Sequence, residues 1–360
     1  MQKKTTQKDI AKALGVSFIT VSRALNNSGY VSEETKDRIQ KYIDEIGYVP
    51  DRGARALVKG EPTELALFSE EHPSYFWNEI EKGIRTASEQ IGSFGYHVTY
   101  ERIPSGNTQD YMTKVQEALE RGIKAAALVH NSGYDMDRIY ALLDEKNVPF
   151  ITFNIDAPES GRTGYIGPDY KQGGRLAAEY IGKCLPAGCR VLLISSEDGE
   201  TKLKDSNHLR ESGFIETIIR DYPALILSTR HAGYFPGYME KAFDALLAES
   251  DFSYDAVYVA CTFPPNLPEI ISTHNPDFPP LLVVHDTWPG FRDYLDDGRL
   301  SAVIYQNPVL QGYYAVKILE DLVEKTSRNR PEILELTNSL LLRENCDLPR
   351  NHNLLLGSWG

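Results

Sequence analysis

Up to about residue 50 the apolar positions recur with helical spacing. Ile10, Ala11 and Leu14 share one face of a helix that Thr5 or Thr6 can cap and that Gly15 can end in a left-handed turn. Ser17 is placed to cap a second helix over Phe18–Asn26, with Val21, Ala24 and Leu25 facing inward. After the loop Asn26-Asn27-Ser28-Gly29, Ser32 caps a third helix with Glu33 and Glu34 in its first turn. That helix turns Ile39, Tyr42, Ile43 and Ile46 toward the core and stops at Gly47. Two short helices joined by a tight turn predict a helix-turn-helix.

From residue 63 onward the period changes. β-rich apolar runs at 65–69, 96–102, 125–130, 149–154, 190–196, 225–229, 256–260 and 281–285 are mostly separated by amphipathic helical stretches. That alternation predicts parallel sheets with helices on both faces, and the strands suffice for two sheets. The expected fold is a small all-α helix-turn-helix head, residues 1–49, a linker at 50–62, and an α/β domain at 63–360 made of two doubly wound parallel-sheet subdomains.

Composition narrows the class. No apolar run nears the roughly 18 residues of a membrane helix, so no membrane partner is expected. The first residues lack the apolar core of a secretory leader, which sets a cytoplasmic expectation. Cys184, Cys189, Cys261 and Cys346 have no metal or redox spacing and suit a reducing compartment as free thiols. The net charge of −13 argues against nucleic acid until its distribution is read. Residues 1–60 hold 11 basic against 7 acidic side chains, or +4, which leaves −17 for the remainder. A basic minor module can meet phosphates while an acidic major module opposes wholesale nonspecific binding.

With Val21 and Leu25 buried, Phe18, Ile19, Ser22 and Arg23 fall on the outer face of the second helix, within reach of base edges or phosphates. The pattern alone also fits a small helical interaction module. The residues go further: TTQKDIAKALGVSFITVSRALNNSGYVSEETKDRIQKYIDEIGYVP resembles the DNA-binding head of the LacI/GalR repressor family over its whole length. The resemblance implies base-reading positions at Phe18, Ile19 and Arg23, and phosphate-contacting ones at Thr6, Ser17, Thr20, Ser22 and Asn26. Arg23 can bond guanine O6 and N7 together, while Ile19 suits a thymine methyl.

Pro50 opens DRGARALVKG, a helix-capable stretch about two turns long and marginal by itself. The bland alternative is an ordinary flexible linker with one stray leucine. The segment resembles the family's hinge helix, which implies that Leu57, with Ala54 beside it, wedges into the minor groove of operator DNA. Asp51 and Gly53 depart from that pattern and weaken hinge folding, glycine by about 1 kcal/mol.

The large region carries no GxSxG elbow, GxxxxGK[ST] loop or HExxH motif, so nothing positive points to an enzyme, a metal or a cofactor. Strand ends carry instead Ser69, Tyr75, Phe76 and Trp77; Asn154 and Asp156; Asn207 and Arg210; Asp286 and Trp288; and Gln306. Aromatic faces stack on sugar C–H surfaces, and carboxylates, amides and guanidinium bridge hydroxyls. Each residue alone also reads as core, salt bridge or cap. Residues 63 to 345 resemble the type I periplasmic sugar-binding fold, ribose/xylose branch, in SYFWNEIEKGI, FNIDAPESGRTGYIGPDYKQGGRLAAEYI, SNHLRESGF, VVHDTWPGF and IYQNP. That resemblance implies Phe76, Trp77, Asn154, Asp156, Arg210, Asp286 and Gln306 in a cleft, with Asp169 and Asn307 by a hinge. Thr262, Pro264 and Pro265 depart from it along one wall. The implied function is a transcriptional repressor, a homodimer on pseudo-palindromic operator DNA, switched by a sugar or polyol; the alternative is a stand-alone sugar receptor.

Leu57→Ala is expected to remove most of a bend that wedges of this kind set at 20–90°, with effector affinity unchanged. A DNA-bending assay by gel mobility checks this, and an undiminished bend would refute the wedge.

Overall fold

A computed structural model describes residues 6–26, 30–46, 62–104, 107–131, 133–196, 206–232, 239–248, 253–275, 280–324 and 333–347. The hinge expected at 50–62, including Ala54 and Leu57, lies outside them up to residue 61, as do the side chain of Asn26 and the tail after Asp347. The chain divides into two compact units, the sequence boundary falling between Pro62 and Thr63.

In the first unit, Thr6 caps α1 (Gln7–Leu14) through a reciprocal box in which Asp9 N donates to Thr6 Oγ1 and Thr6 N donates to Asp9 Oδ2. Gly15, at φ 67°, ends it, a conformation glycine adopts without a Cβ penalty. Ser17 Oγ accepts from Thr20 N at 3.0 Å and so starts α2 (Phe18–Asn26). Together with α3 (Glu33–Ile46), these helices enclose Ile10, Ala11, Val21, Ile39 and Ile43. Ile46 was expected inside. It is 39% exposed, because the core has ended by the last turn of α3.

The second unit holds two six-stranded sheets. β1 (Thr63–Glu70), α4 (Ser74–Gly92), β2 (Tyr96–Ile103), α5 (Thr108–Glu120), β3 (Ala125–Leu128), α6 (Met136–Glu145), β4 (Phe150–Phe153) and β5 (Tyr165–Pro168) build the first lobe. The chain then passes through α7 (Tyr170–Cys184) into β6 (Arg190–Ser196), α8 (Ser206–Asp221), β7 (Ile226–Ala232), α9 (Met239–Ala248), β8 (Ala256–Val259), α10 (Leu267–His274), β9 (Leu281–His285), α11 (Phe291–Asp296) and β10 (Ala302–Tyr305). It returns through α12 (Pro308–Glu324) to β11 (Ile333–Leu336) and ends in β12 (Ser339–Leu341).

The first sheet runs β11-β5-β4-β3-β1-β2 and the second β12-β10-β9-β8-β6-β7. All pairings are parallel except that of β12 with β10. Each sheet thus has the doubly wound order 2-1-3-4-5 plus one returning strand, and ligand crevices in such sheets open at the strand carboxyl ends. β3, β4, β5, β8 and β10 are buried along their whole length, as sheets covered on both faces require. Four strands escape the hydrophobic pattern: β5, which contains glycine and proline, β10, and the partly exposed edge strands β11 and β12.

Three short segments cross between the lobes: β5 into α7, β10 into α12, and β11 into β12. They are laced together. Asn338 Nδ2 donates to the Asp169 carbonyl at 2.7 Å and Asn307 Nδ2 to that of Thr337 at 2.9 Å. Each lobe also rests on one close helix pair. A Cβ on Gly83 of α4 would lie 1.9 Å from the Val309 carbonyl of α12, and one on Gly312 2.1 Å from that of Ile80. In the second lobe, Gly174 of α7 meets the Arg210 carbonyl of α8 at 1.9 Å and Gly213 that of Lys171 at 2.2 Å.

Gly312→Ala is therefore expected to destabilise by about 1–3 kcal/mol, since backbone rather than a flexible tip must yield. Gly92→Ala, where an added Cβ meets open space, is expected to be neutral or slightly stabilising. Urea unfolding of both variants checks the contrast.

Candidate functional site

The helical unit presents a mixed polar and apolar face. Phe18 and Ile19 are 47% and 58% exposed, and Arg23 is exposed beside half-buried Thr20 and Ser22. Two large apolar side chains held in water at the start of a helix whose opposite side is core serve a partner better than they serve folding. The hydroxyls of Ser17 and Thr20 are 2.8 Å apart, and Thr6 and Ser17 begin α1 and α2. Residues needed to start each helix thus also stand where the backbone N–H groups of a helix N-terminus favour phosphate.

In the large unit the crevice is built from strand ends. Asp286 follows β9 and Gln306 follows β10 in the same sheet, and Gln306 Nε2 donates to Asp286 Oδ2 at 2.7 Å. Asp286 holds φ 64°, a left-handed turn that aspartate and asparagine tolerate better than most residues. Arg210 stands near the start of α8, where Gly174 lets α7 close upon it. It is buried, donates from Nη1 to the Ala260 carbonyl at 3.1 Å, and lies 5.0 Å from the ring centroid of Tyr170. Three buried atoms here have no hydrogen-bond partner among the described residues: Arg210 Nε, Asp286 Oδ1 and Gln306 Oε1. One donor and two acceptors are left for a guest.

The electrostatics agree. Burial pushes the Asp286 carboxyl up to about 6, against the downward pull of the Arg210 guanidinium and the Gln306 hydrogen bond. Burial, and then Arg210, hold the neighbouring His285 well below its ordinary value. This imidazole stays neutral, with Nε2 2.6 Å from the Tyr258 hydroxyl.

The first-lobe residues behave differently from the sequence expectation. Phe76 and Trp77 are buried on the first turn of α4. Trp77 meets Phe153 edge-on at 6.4 Å, and its Nε1 donates to the His72 carbonyl at 3.1 Å. Tyr75, about 100° round the helix from each of its neighbours in steps of one residue, packs instead against the core of the second lobe with Trp288 and Tyr305. Trp288 itself is core, edge-on to Phe263 at 5.2 Å. Asp156 spends its carboxylate on the protein, accepting from Thr152 Oγ1, Ala157 N and both Nε and Nη2 of Arg162. Arg162 and Gln311 are buried polar partners that the sequence reading missed. Arg162 lies within one of the quoted segments, six residues from Asp156, whereas Gln311 lies outside them and pairs with Asn154 across 157 residues. Among the described residues no group of side chains has the makings of a metal site.

Residues 6–51 match the family described as bacterial regulatory proteins, lacI family, and residues 65–327 match the periplasmic binding protein domain. The chain belongs to the periplasmic binding protein domain family, and its first part is similar to the lacI-family regulators. A probable HTH-type transcriptional repressor ExuR of Bacillus subtilis (strain 168) is 29% identical to this chain over 222 residues, 60% of it and 61% of the relative. The ribose operon repressor of the same strain is 34% identical over 179 residues, 49% of this chain and 50% of its own. The matches thus span about half to three fifths of the curated relatives' lengths. Among solved structures, a glucose-galactose binding protein, GanP, from Geobacillus stearothermophilus superposes with TM-score 0.67 at 18% identity, over 79% of this chain and 99% of that one. A putative LacI transcriptional regulator from Bacteroides fragilis gives the same score and identity over 80% and 99%. At such identities the likeness is one of fold.

Asp286→Asn keeps an acceptor for Gln306 and removes a buried charge. Because the folded carboxyl titrates near 6 and an unfolded one near 3.8, the folded chain holds a proton that the unfolded chain releases between those values. The wild-type chain therefore loses stability as pH rises from 4 to 6 and does not regain it above. The variant is expected to be more stable by about 3 kcal/mol at pH 7.5, with the gap closing near pH 4. Thermal melts across that range check it.

Proposed function

We propose that this chain is a DNA-binding transcriptional repressor whose operator affinity is set by a small neutral sugar or polyol held in the crevice of the large unit. The observation that carries the reading is the trio of open bonding atoms on Arg210, Asp286 and Gln306 in a chain that also owns a helix-turn-helix. Adjacent hydroxyls donate to Asp286 Oδ1 and Gln306 Oε1 and accept from Arg210 Nε, which completes all three at once. In this reading Asn154 bounds the crevice on the first-lobe side with Phe76 and Trp77 packed behind it, and Asp156 shapes the loop after β4 rather than bonding the ligand. A carboxylate that is costly to bury empty gains most from a ligand that satisfies it.

On the DNA side, Phe18, Ile19 and Arg23 read base edges from the major groove. Thr6, Ser17, Thr20, Ser22 and Asn26 meet phosphates, and Ala54 and Leu57 act in the minor groove. One such head covers one half-site, so the reading includes a homodimer on a pseudo-palindromic operator. The place of action is the cytoplasm, and no described helix is long and apolar enough to cross a membrane. A stand-alone sugar receptor would leave the exposed Phe18 and Ile19 without a role.

Arg23→Ala is expected to weaken specific operator binding by about 1–3 kcal/mol and to leave nonspecific affinity nearly unchanged, because a bidentate base contact is lost rather than a phosphate contact. Fluorescence anisotropy on a selected operator and on a scrambled duplex measures both. Equal losses would remove Arg23 from the base-reading set. A thermal-shift screen of sugars and polyols on the same protein tests the effector half.

A further inference from the structure

Behind the three open atoms lies a chain of directional contacts that crosses from one lobe to the other. Gln311, near the start of α12, is fully buried. Its Oε1 accepts from Asn154 Nδ2 at 3.0 Å, and its Nε2 donates to the Gln306 backbone carbonyl at 2.8 Å. Gln306 in turn donates to Asp286 at 2.7 Å. Asn154 is the residue that leaves β4 in the first lobe, at φ 61°, and Asp286 the one that leaves β9 in the second, at φ 64°. A second line starts from the same residue. The Asn154 carbonyl accepts from the hydroxyls of Tyr165 at 2.7 Å and Tyr170 at 3.0 Å, and the Tyr170 ring carries the Arg210 guanidinium.

All three groups with open bonding atoms thus connect back to the end of β4, two through Gln311 and one through Tyr170. Packing alone would be served by leucine at 311 and phenylalanine at 170. A buried amide bonded at both ends fixes one arrangement of its neighbours, since any shift of one partner strands another polar atom without water.

We propose that Gln311 and Tyr170 are positioning residues that tie Gln306, Asp286 and Arg210 to Asn154, so that occupancy of the second-lobe groups is transmitted to the first lobe. The inference rests on reading the crevice as the effector site. A ligand shifts an equilibrium only by its differential affinity for the two states, and these bonds are what would make the two arrangements differ in energy.

The test uses the full chain and a duplex selected from a random pool by the wild-type protein. D-ribose, D-xylose, D-galactose, D-glucuronate and ribitol are screened by thermal shift, and the compound that raises the wild-type melting temperature most is titrated. Two quantities are read: the dissociation constant for that compound, and the ratio of operator affinities without it and at saturation. Gln311→Met is expected to saturate with the compound yet to lower that ratio, which in the wild type should lie in the roughly 5–150-fold range of ordinary coupling, by at least about threefold. Tyr170→Phe, which keeps the ring under Arg210, should lower it less, and Gln311→Glu, which keeps the acceptor for Asn154, should fall between wild type and Gln311→Met. Asp286→Ala, which removes a binding group, should shift the titration midpoint. A wild-type ratio in both Gln311→Met and Tyr170→Phe, whatever their melting temperatures, would reduce these residues to packing and overturn the relay. If no compound raises the wild-type melting temperature, the effector reading itself fails and the relay falls with it. If one binds but leaves wild-type operator affinity unchanged, binding stands and transmission is refuted.

Discussion

A parallel sheet gathers the carboxyl ends of its strands along one edge, and in the large unit the chain leaves those edges three times to cross to the other sheet. The crevice is built from those strand ends. Asn154, Asp286 and Gln306 are the first residues beyond β4, β9 and β10, and of these strands β10 leads into a crossing. Sharp exits there are made by Asn154 and Asp286 within their sheets and by Asn307 at the crossing, with φ between 53° and 64°. Asparagine and aspartate tolerate that conformation and bring polar side chains with them, so the backbone requirement and the chemistry of the site are met by the same residues.

The helices around the crossings are held by contact rather than by charge. Gly83 with Gly312 and Gly174 with Gly213 form equivalent close approaches in the two lobes, each pairing a helix of the lobe with the helix that leads out of a crossing. In the second lobe this contact falls on the backbone of Arg210 itself. The guanidinium is therefore placed by steric closeness on one side, the Tyr170 ring on another and the Ala260 carbonyl at its tip, which leaves Nε as the atom with bonding capacity to spare.

Burying a carboxylate beside that guanidinium without completing its bonds has a cost, visible in the raised Asp286 titration and in the neutral His285 beside it. Structures tolerate such costs where a ligand removes them. Asp156 is the counterexample within the same unit: four hydrogen bonds from Thr152, Ala157 and Arg162 satisfy it, and it stabilises the loop after β4. Two carboxylates at comparable places in the chain thus divide into one that the protein completes and one that it leaves open.

The sequence by itself determined the elements and their order. Periodicity and caps located α1, α2 and α3 because capping and apolar spacing are local properties, fixed within a few residues of Thr6, Gly15 and Ser17. Eight strands of the two sheets were legible for the same reason, whereas β5, β10, β11 and β12 were not, β5 being interrupted by Gly167 and Pro168 and β11 and β12 being partly exposed edge strands. Chemistry-bearing strand ends were legible as a set, since polar residues directly after an apolar run mark the edge of a parallel sheet. Tertiary structure decided which of them the protein uses for itself. Asp156 and Asp286 are alike on paper, and Tyr75, Phe76 and Trp77 are adjacent. Asp156 is completed within six residues, whereas Asp286, Arg210 and Asn154 are assigned by pairings across 20, 50 and 157 residues. Those pairings depend on which strands lie side by side, and no local spacing encodes that.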